Sequence, residues 1–370
     1  MEPSEAARLF RLPSKYTFLK FLGEGAYSKV VQCLDEETGE TVAVKLPKRR
    51  YQETKKEISM LRKIKGLNLD KHNIVRFIDC FLTSSGKAFV FESLDISRFD
   101  YWEKTDFAPM LLSDIRTIIQ QMATALDALK ENQMIHAVTL DNIMMVNHHQ
   151  RPFEVKLIDF GLAIHASHAR PGLTVQPQTF RSPEVILGGG FSEAIDMWTL
   201  GCAMFQMICG CQPFSGETEY EIVLSIVELL GQPDADFLGG CERTCVFFES
   251  LDYIRWRIKT PSEFFNVCKT RARKSHQYES LDDMKAMRLE ENNLTEAVER
   301  EQCIELLKAM QTVVDWERIT PREVLSHPFI TKDYPNVQTD VGSDPDSTCD
   351  SREHNAAGRS GESKSVFSLC

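Results

Sequence analysis

Residues 136–142 read HAVTLDN: His136, Ala137, Val138, Thr139, Leu140, Asp141 and Asn142. An apolar run, IMMV (143–146), follows directly. A polar turn around 148–152 and a second apolar run, EVKLIDF (154–160), come next. Two short β-type runs around a turn read as a hairpin. The hairpin ends on Asp159, Phe160 and Gly161, with Asp159 17 residues after Asn142 (159 − 142). A polar loop therefore enters the hairpin and a carboxylate leaves it. What lies on either side decides what that arrangement serves.

Upstream, residues 17–34 (TFLKFLGEGAYSKVVQCL) are rich in β-formers around a pair of glycines, and ETVAVKL (40–46) follows the turn signal EETG. This predicts a β-meander. A charged helix is expected from about Thr54 to Ile64, then strands in IVRFIDCFL and KAFVFES. Beyond residue 95 the text turns helical. Ile115, Ile118, Ile119, Met122, Leu126 and Leu129 recur at helical spacing. Residues 193–209 (EAIDMWTLGCAMFQMIC) are apolar almost all round, as in a helix buried within a large domain. The expected organisation is a 1–15 extension, a β-rich lobe with one helix over 16–94, and a larger helical lobe over 95–332. A Ser-, Asp- and Gly-rich tail covers 333–370, with the composition of a disordered segment.

The bulk numbers fit a soluble globular protein: 370 residues, 42% hydrophobic and 26% charged. A net charge of −11 argues against a general nucleic-acid binder. No apolar run reaches membrane-spanning length, and the start, MEPSEAARLF, is no secretory signal. The expected setting is intracellular, in nucleus or cytoplasm, as a monomer with no membrane or nucleic-acid contact. The 11 scattered cysteines read as reduced thiols, several within apolar helical text. Cys241 and Cys245 have metal-pair spacing but no second pair follows. The basic run KLPKRR (45–50) and the cluster TRARK (270–274) read as lobe and loop charges before they read as signals or patches.

Leu22-Gly23-Glu24-Gly25-Ala26-Tyr27-Ser28, with Val30 after it, sits between two strands. Glycines there let a backbone approach phosphates because no Cβ intervenes. Lys45, in VAVK, comes 22 residues after Gly23 (45 − 23), where a cation could meet those phosphates. Such a lysine wants a carboxylate partner, and Glu57 on the following helix is the candidate. Asp159 and Asn142 offer the hard oxygens that Mg²⁺ prefers.

These residues carry a family resemblance. Over about 16–330 the chain resembles a eukaryotic protein kinase, and within the CMGC group it resembles the homeodomain-interacting protein kinases. The large-lobe features are FRSPEVILG (180–188), EAIDMWTLGC (193–202), WRIKTP (256–261), ESLDDM (279–284) and DWERITPREVLSHPF (315–329). The resemblance implies a two-lobed α+β kinase fold with ATP and Mg²⁺ in the cleft, and a CMGC-type insert around 235–290. It implies a nucleotide site of residues 22–28, Val30, Ala43, Lys45 and Glu57, with Phe91 as gatekeeper and Glu92 to Leu94 as hinge. Asn142 and Asp159 would hold the metal. His136, Asp196 and the pair Glu184–Arg318 would be structural. Partners implied are protein substrates or regulatory proteins, among them transcription regulators.

The loop departs from that family's pattern, His-Arg/Ala-Asp-Leu-Lys-Pro-Glu-Asn. The family has seven steps from His to Asn; here there are six (142 − 136). Val138 stands at the Asp position and no Lys occurs between His136 and Asn142. Asp141 is a weak substitute, because the family's base lies five residues before the Asn rather than beside it. A general base must come within about 3 Å of its proton. Between Asp159 and Glu184 the family's phosphorylated Tyr aligns with Thr174, and the Arg that shapes its proline pocket aligns with Gln178. Three readings follow: an ATP-binding domain impaired in phosphotransfer, an active serine/threonine kinase, and a fold that binds no nucleotide.

Overall fold

The structure is a computed structural model describing residues 12–25, 28–48, 54–83, 85–252, 254–265, 278–287 and 295–334. The chain divides at Tyr334, and the first unit, Met1–Tyr334, carries every described residue. The tail expectation lies outside the described residues, apart from its first two positions.

A five-stranded antiparallel sheet begins the first unit, with spatial order β1-β2-β3-β5-β4. Its strands are β1 (Tyr16–Glu24), β2 (Ser28–Asp35), β3 (Thr41–Pro47), β4 (Phe77–Thr83) and β5 (Gly86–Glu92). Alternation along β3 explains its sequence. Val42, Val44 and Leu46 turn into one apolar cluster with Tyr16, Phe18, Val31, Cys33, Ala88 and Val90. Ala43 and Lys45 therefore face the other side of the pleat. The predicted helix is present as α1 (Thr54–Gly66), with Glu57 in its first turn and Lys63 and Lys65 in its last, the order that the helix dipole favours.

The second layer is helical. Here α2 (Arg98–Lys104) is capped by Ser97, whose side chain accepts from the Asp100 N–H. The helical spacing read from 115 to 129 is the buried face of α3 (Leu112–Glu131). The expected hairpin is β6 (Ile143–Asn147) with β7 (Arg151–Leu157), antiparallel, and strand β7 starts inside the predicted turn. The apolar text at 193–209 is α4 (Ala194–Cys209), buried from Ile195 through Ile208. It stops at Gly210, whose φ of 72° needs glycine. Next come α5 (Glu219–Leu230) and, later, α6 (Glu296–Met310). Ile58, Leu61 and Ile64 of α1 join the large core with α3, the hairpin and α4. Among the described residues, no helix is long and apolar enough to cross a membrane.

Candidate active site

Cross-strand register builds the cleft wall. Val30 pairs with Lys45, and Ala43 pairs with Phe91. Phe91 packs on Phe77 at 5.7 Å between ring centroids. Glu92 accepts from Lys156 Nζ at 2.6 Å, and Leu94 is buried. Leu22, Gly23, Glu24, Gly25 and Ser28 lie at the β1–β2 turn, closed by the Gly25 N–H donating to the Ser28 carbonyl at 2.9 Å. Ala26 and Tyr27 lie outside the described residues. A Cβ added at Gly23 or Gly25 would meet nothing within 4 Å. The fold does not itself demand glycine there.

Lys45 is the centre of a charge network. Its Nζ lies 2.8 Å from Glu57 Oε1 and 2.8 Å from Asp159 Oδ1. Burial alone would lower its pKa, but the charges and hydrogen bonds of Asp159 and Glu57 outweigh burial and raise it. Asp159 is the mirror case: protein mass on one side favours its neutral form, and Lys45 overrides that and holds the carboxyl low. Asp159 also accepts from the Gly161 N–H at 3.1 Å. Its own φ of 59° is left-handed, which asparagine and aspartate tolerate best after glycine. The predicted strand stops three residues early, at Leu157, and this turn aims the carboxylate into the cleft.

Phe160 is buried and sits edge-on to His136 at 4.6 Å. The His136 ring is fully enclosed, and burial pushes its pKa down to about 4, so it is a neutral packing element. Asp196, on the first turn of α4, accepts from the His136 N–H at 2.8 Å and the Val138 N–H at 2.9 Å. Between them Ala137 takes φ 56°. Deeper in the lobe, Arg318 forms a two-pronged pair with Glu184 at 2.8 and 3.0 Å, both side chains essentially unexposed. It also donates to the carbonyls of Ala194, Thr312 and Val313.

The loop itself is folded inward. Val138 is 5% exposed and belongs to the large core. With Thr139 it lines a void of about 10 Å³ against Met122, Leu126, Ile143, Leu157 and Leu200. Its side chain does not stand in the cleft. Asn142 Oδ1 accepts from both the Thr139 N–H (2.9 Å) and the Thr139 hydroxyl (3.0 Å). The oxygen that a metal would use is thus occupied within the loop, although the Asn142 carbonyl ties the loop to Ile158 N at 2.8 Å, next to Asp159. Asp141 is exposed, and the charges acting on it are Arg98 and Asp100 of α2, while those acting on Asp159 are Lys45 and His136.

Sequence reasoning passed over Arg181. Its Nε donates to the Val175 carbonyl and its Nη2 to the Gln176 carbonyl, each at 3.2 Å, and it pairs with Glu219 at 2.6 Å. Gln176 has φ 65° and is buried, holding Thr199 and Ser182 through its amide. Gln178, to which the sequence reading gave weight, instead donates to the Glu217 carbonyl. Thr174 is exposed. Nothing in the spacing points to Arg181, because its acceptors are backbone carbonyls. Among the described residues, no group of three or more His, Cys, Asp or Glu is placed to hold a metal. The described cysteines, Cys241 and Cys245 included, are free.

The protein kinase domain family model matches residues 16–330. The chain is 36% identical over 337 residues to homeodomain-interacting protein kinase 1 of Mus musculus, covering 87% of this chain and 28% of the relative. Homeodomain-interacting protein kinase 2 of Mesocricetus auratus is also 36% identical, with 87% and 29% covered. Homeodomain-interacting protein kinase 4 of Homo sapiens is 32% identical over 338 residues, with 85% and 55% covered. The chain thus spans from 28% to 55% of the length of these relatives. A β-rich lobe, a helical lobe, and the Lys45–Glu57–Asp159 network agree with those matches: the chain belongs to the protein kinase domain family and is similar, within it, to the homeodomain-interacting kinases of the CMGC group.

Proposed function

We propose that this domain binds ATP with Mg²⁺ and is impaired in transferring the γ-phosphate, acting as a regulator or scaffold in signalling. The observation that carries the reading is Val138, buried in the large core where a cleft-facing carboxylate would be needed. Nucleotide fits the other residues. The glycine turn leaves room for phosphates, Lys45 is held charged by two carboxylates, and Ala43, Phe91 and the 92–94 segment would line the base. Mg²⁺ fits Asp159. It fits Asn142 only if that side chain gives up its bonds to Thr139. A bound Mg²⁺ would supply charge neutralisation at the phosphates. The chain's own groups would bind and orient, with no side chain at position 138 to take a proton.

The relatives are named for interaction with homeodomain proteins. A transcription regulator is therefore the partner class proposed, with the nucleus or cytoplasm as setting. The lobes are taken as 16–94 and 95–332, with the insert at 235–290. A second reading, an active serine/threonine kinase, is favoured by the complete Lys45–Glu57–Asp159 network. Thermal unfolding with and without ATP and Mg²⁺ tests the first reading. Ligand at about 100-fold over Kd should add ~2.7 kcal/mol, and Lys45→Ala should remove the gain. An equal Tm with and without nucleotide in the native chain would sink the binding half.

A further inference from the structure

Glu219, in the first turn of α5, shares its carboxylate between two arginines. Oε1 accepts from Arg181 Nη1 and Oε2 from Arg243 Nη2, each at 2.6 Å. Both arginines then hold main chain elsewhere. Arg181 donates to the Val175 and Gln176 carbonyls, so all three of its guanidinium nitrogens are engaged. Arg243 Nη1 donates to the Ile186 carbonyl and its main-chain N–H to the Leu187 carbonyl, both at 2.8 Å. Its stem crosses Gly188, where an added Cβ would lie 3.0 Å from Arg243 Cγ. One acid thus ties 175–181, the 186–188 turn and the chain around Arg243 to α5. Isolated surface pairs contribute little, but this is a network, and the Arg181 and Glu219 side chains are only 12% and 27% exposed.

The segment it holds needs holding. Gln176 has φ 65°, a backbone that a non-glycine residue keeps only when its surroundings over-determine it. Arg181 grips its carbonyl, and Ile195, Thr199 and Ser182 grip its side-chain amide. Thr174, which aligns with the phosphorylated tyrosine of the resembling kinases, is exposed. Yet every acceptor that the two arginines use is an unmodified carbonyl or Glu219 itself. We propose that Glu219 is the positioning residue for the 175–181 segment, and that through it the segment keeps its shape without a phosphate on Thr174. The negative charge that a modification would bring is supplied from within the chain. No member of this clamp belongs to the Lys45 network, so the inference does not rest on nucleotide binding.

Hydrogen exchange on the full, unphosphorylated chain without nucleotide tests this. The amides of Phe180, Arg181 and Ser182 are bonded within the segment, to the Pro177 and Gln178 carbonyls and to Gln176 Oε1. In Glu219→Gln they should exchange about tenfold faster, while amides in the middle of α4 stay unchanged. Thr174→Glu, which adds negative charge where a phosphate would stand, should alter them by less than about twofold, as for a neutral surface substitution. If Glu219→Gln does not fold, Arg181→Lys should give the same local acceleration, because an ammonium keeps the charge but lacks the fork that reaches two carbonyls and a carboxylate together. Unchanged exchange at 180–182 on loss of Glu219, acceleration that α4 shares, or slowing of about tenfold by Thr174→Glu would overturn the proposal. Nucleotide-induced Tm shifts are a separate readout, so the failure of either proposal can be told from failure of the other.

Discussion

Two regions of this domain were built by opposite rules. Around Lys45, three charged side chains from β3, α1 and the turn after β7 converge at 2.8 Å, and Lys45 and Asp159 shift toward their ionised forms against the pull of burial. Around Val138, the loop makes hydrogen bonds with itself and sends an apolar side chain into the core. The first region spends stability on unlike charges that face a cleft. The second relaxes into ordinary packing. Such a charge network is weak evidence for stability, because well-packed apolar residues often stabilise as well. A loop free of such a network settles like any other.

The comparison breaks most sharply at Val138. Val138→Asp restores the acid by type but places it among Met122, Leu126 and Leu200. Burying that carboxylate should cost at least about 4 kcal/mol in a denaturation experiment, without gain in phosphate transfer. A folded, active Val138→Asp protein would show that this side chain reaches the cleft after all. Next in size is the buried pair behind the loop. Arg318→Met leaves Glu184 enclosed and unpaired, and should cost about 3–5 kcal/mol by urea unfolding. Replacing both partners by apolar residues should recover much of that.

A pH scan sharpens the contrast. Burial dominates at Asp196 and pushes its pKa from 3.8 up to about 6, against the pull of the loop N–H groups. The folded state therefore keeps this proton where the unfolded chain has released it. The resulting stability is fully present below about pH 4 and is lost as pH rises through about 6, by roughly 3 kcal/mol in all. Asp196→Asn should flatten the wild-type slope between pH 4 and 6, and parallel curves for the two proteins would contradict the assignment. The smallest effect is expected for Asp141→Ala on ATP affinity. Its charge partners are on α2, so titration calorimetry should find Kd changed less than about threefold, a value far below the loss from Lys45→Ala.

The fold was legible for particular reasons. Helical spacing from Ile115 to Leu129 became the buried face of α3, and the all-apolar run at 193–209 became a helix enclosed on every side. Lys45 and Glu57 were legible because a strand lysine facing the next helix needs a counter-charge. Counting from His136 to Asn142 exposed the missing residue, but not where the remaining side chains would go. Whether Val138 faced cleft or core depends on contacts with α3 and α4, which loop text does not encode. Arg181 was hidden because its acceptors are main-chain carbonyls.

The most direct test of the central claim is phosphate incorporation into a protein substrate from labelled ATP. The native chain is compared with one in which residues 138–141 are replaced by Asp-Leu-Lys-Pro-Glu, with Lys45→Ala as background. The account expects native incorporation near the Lys45→Ala level and the rebuilt loop faster by about 10²–10⁴, the usual worth of a general base. Native turnover equal to that of the rebuilt loop, and abolished by Asp141→Ala, would contradict it.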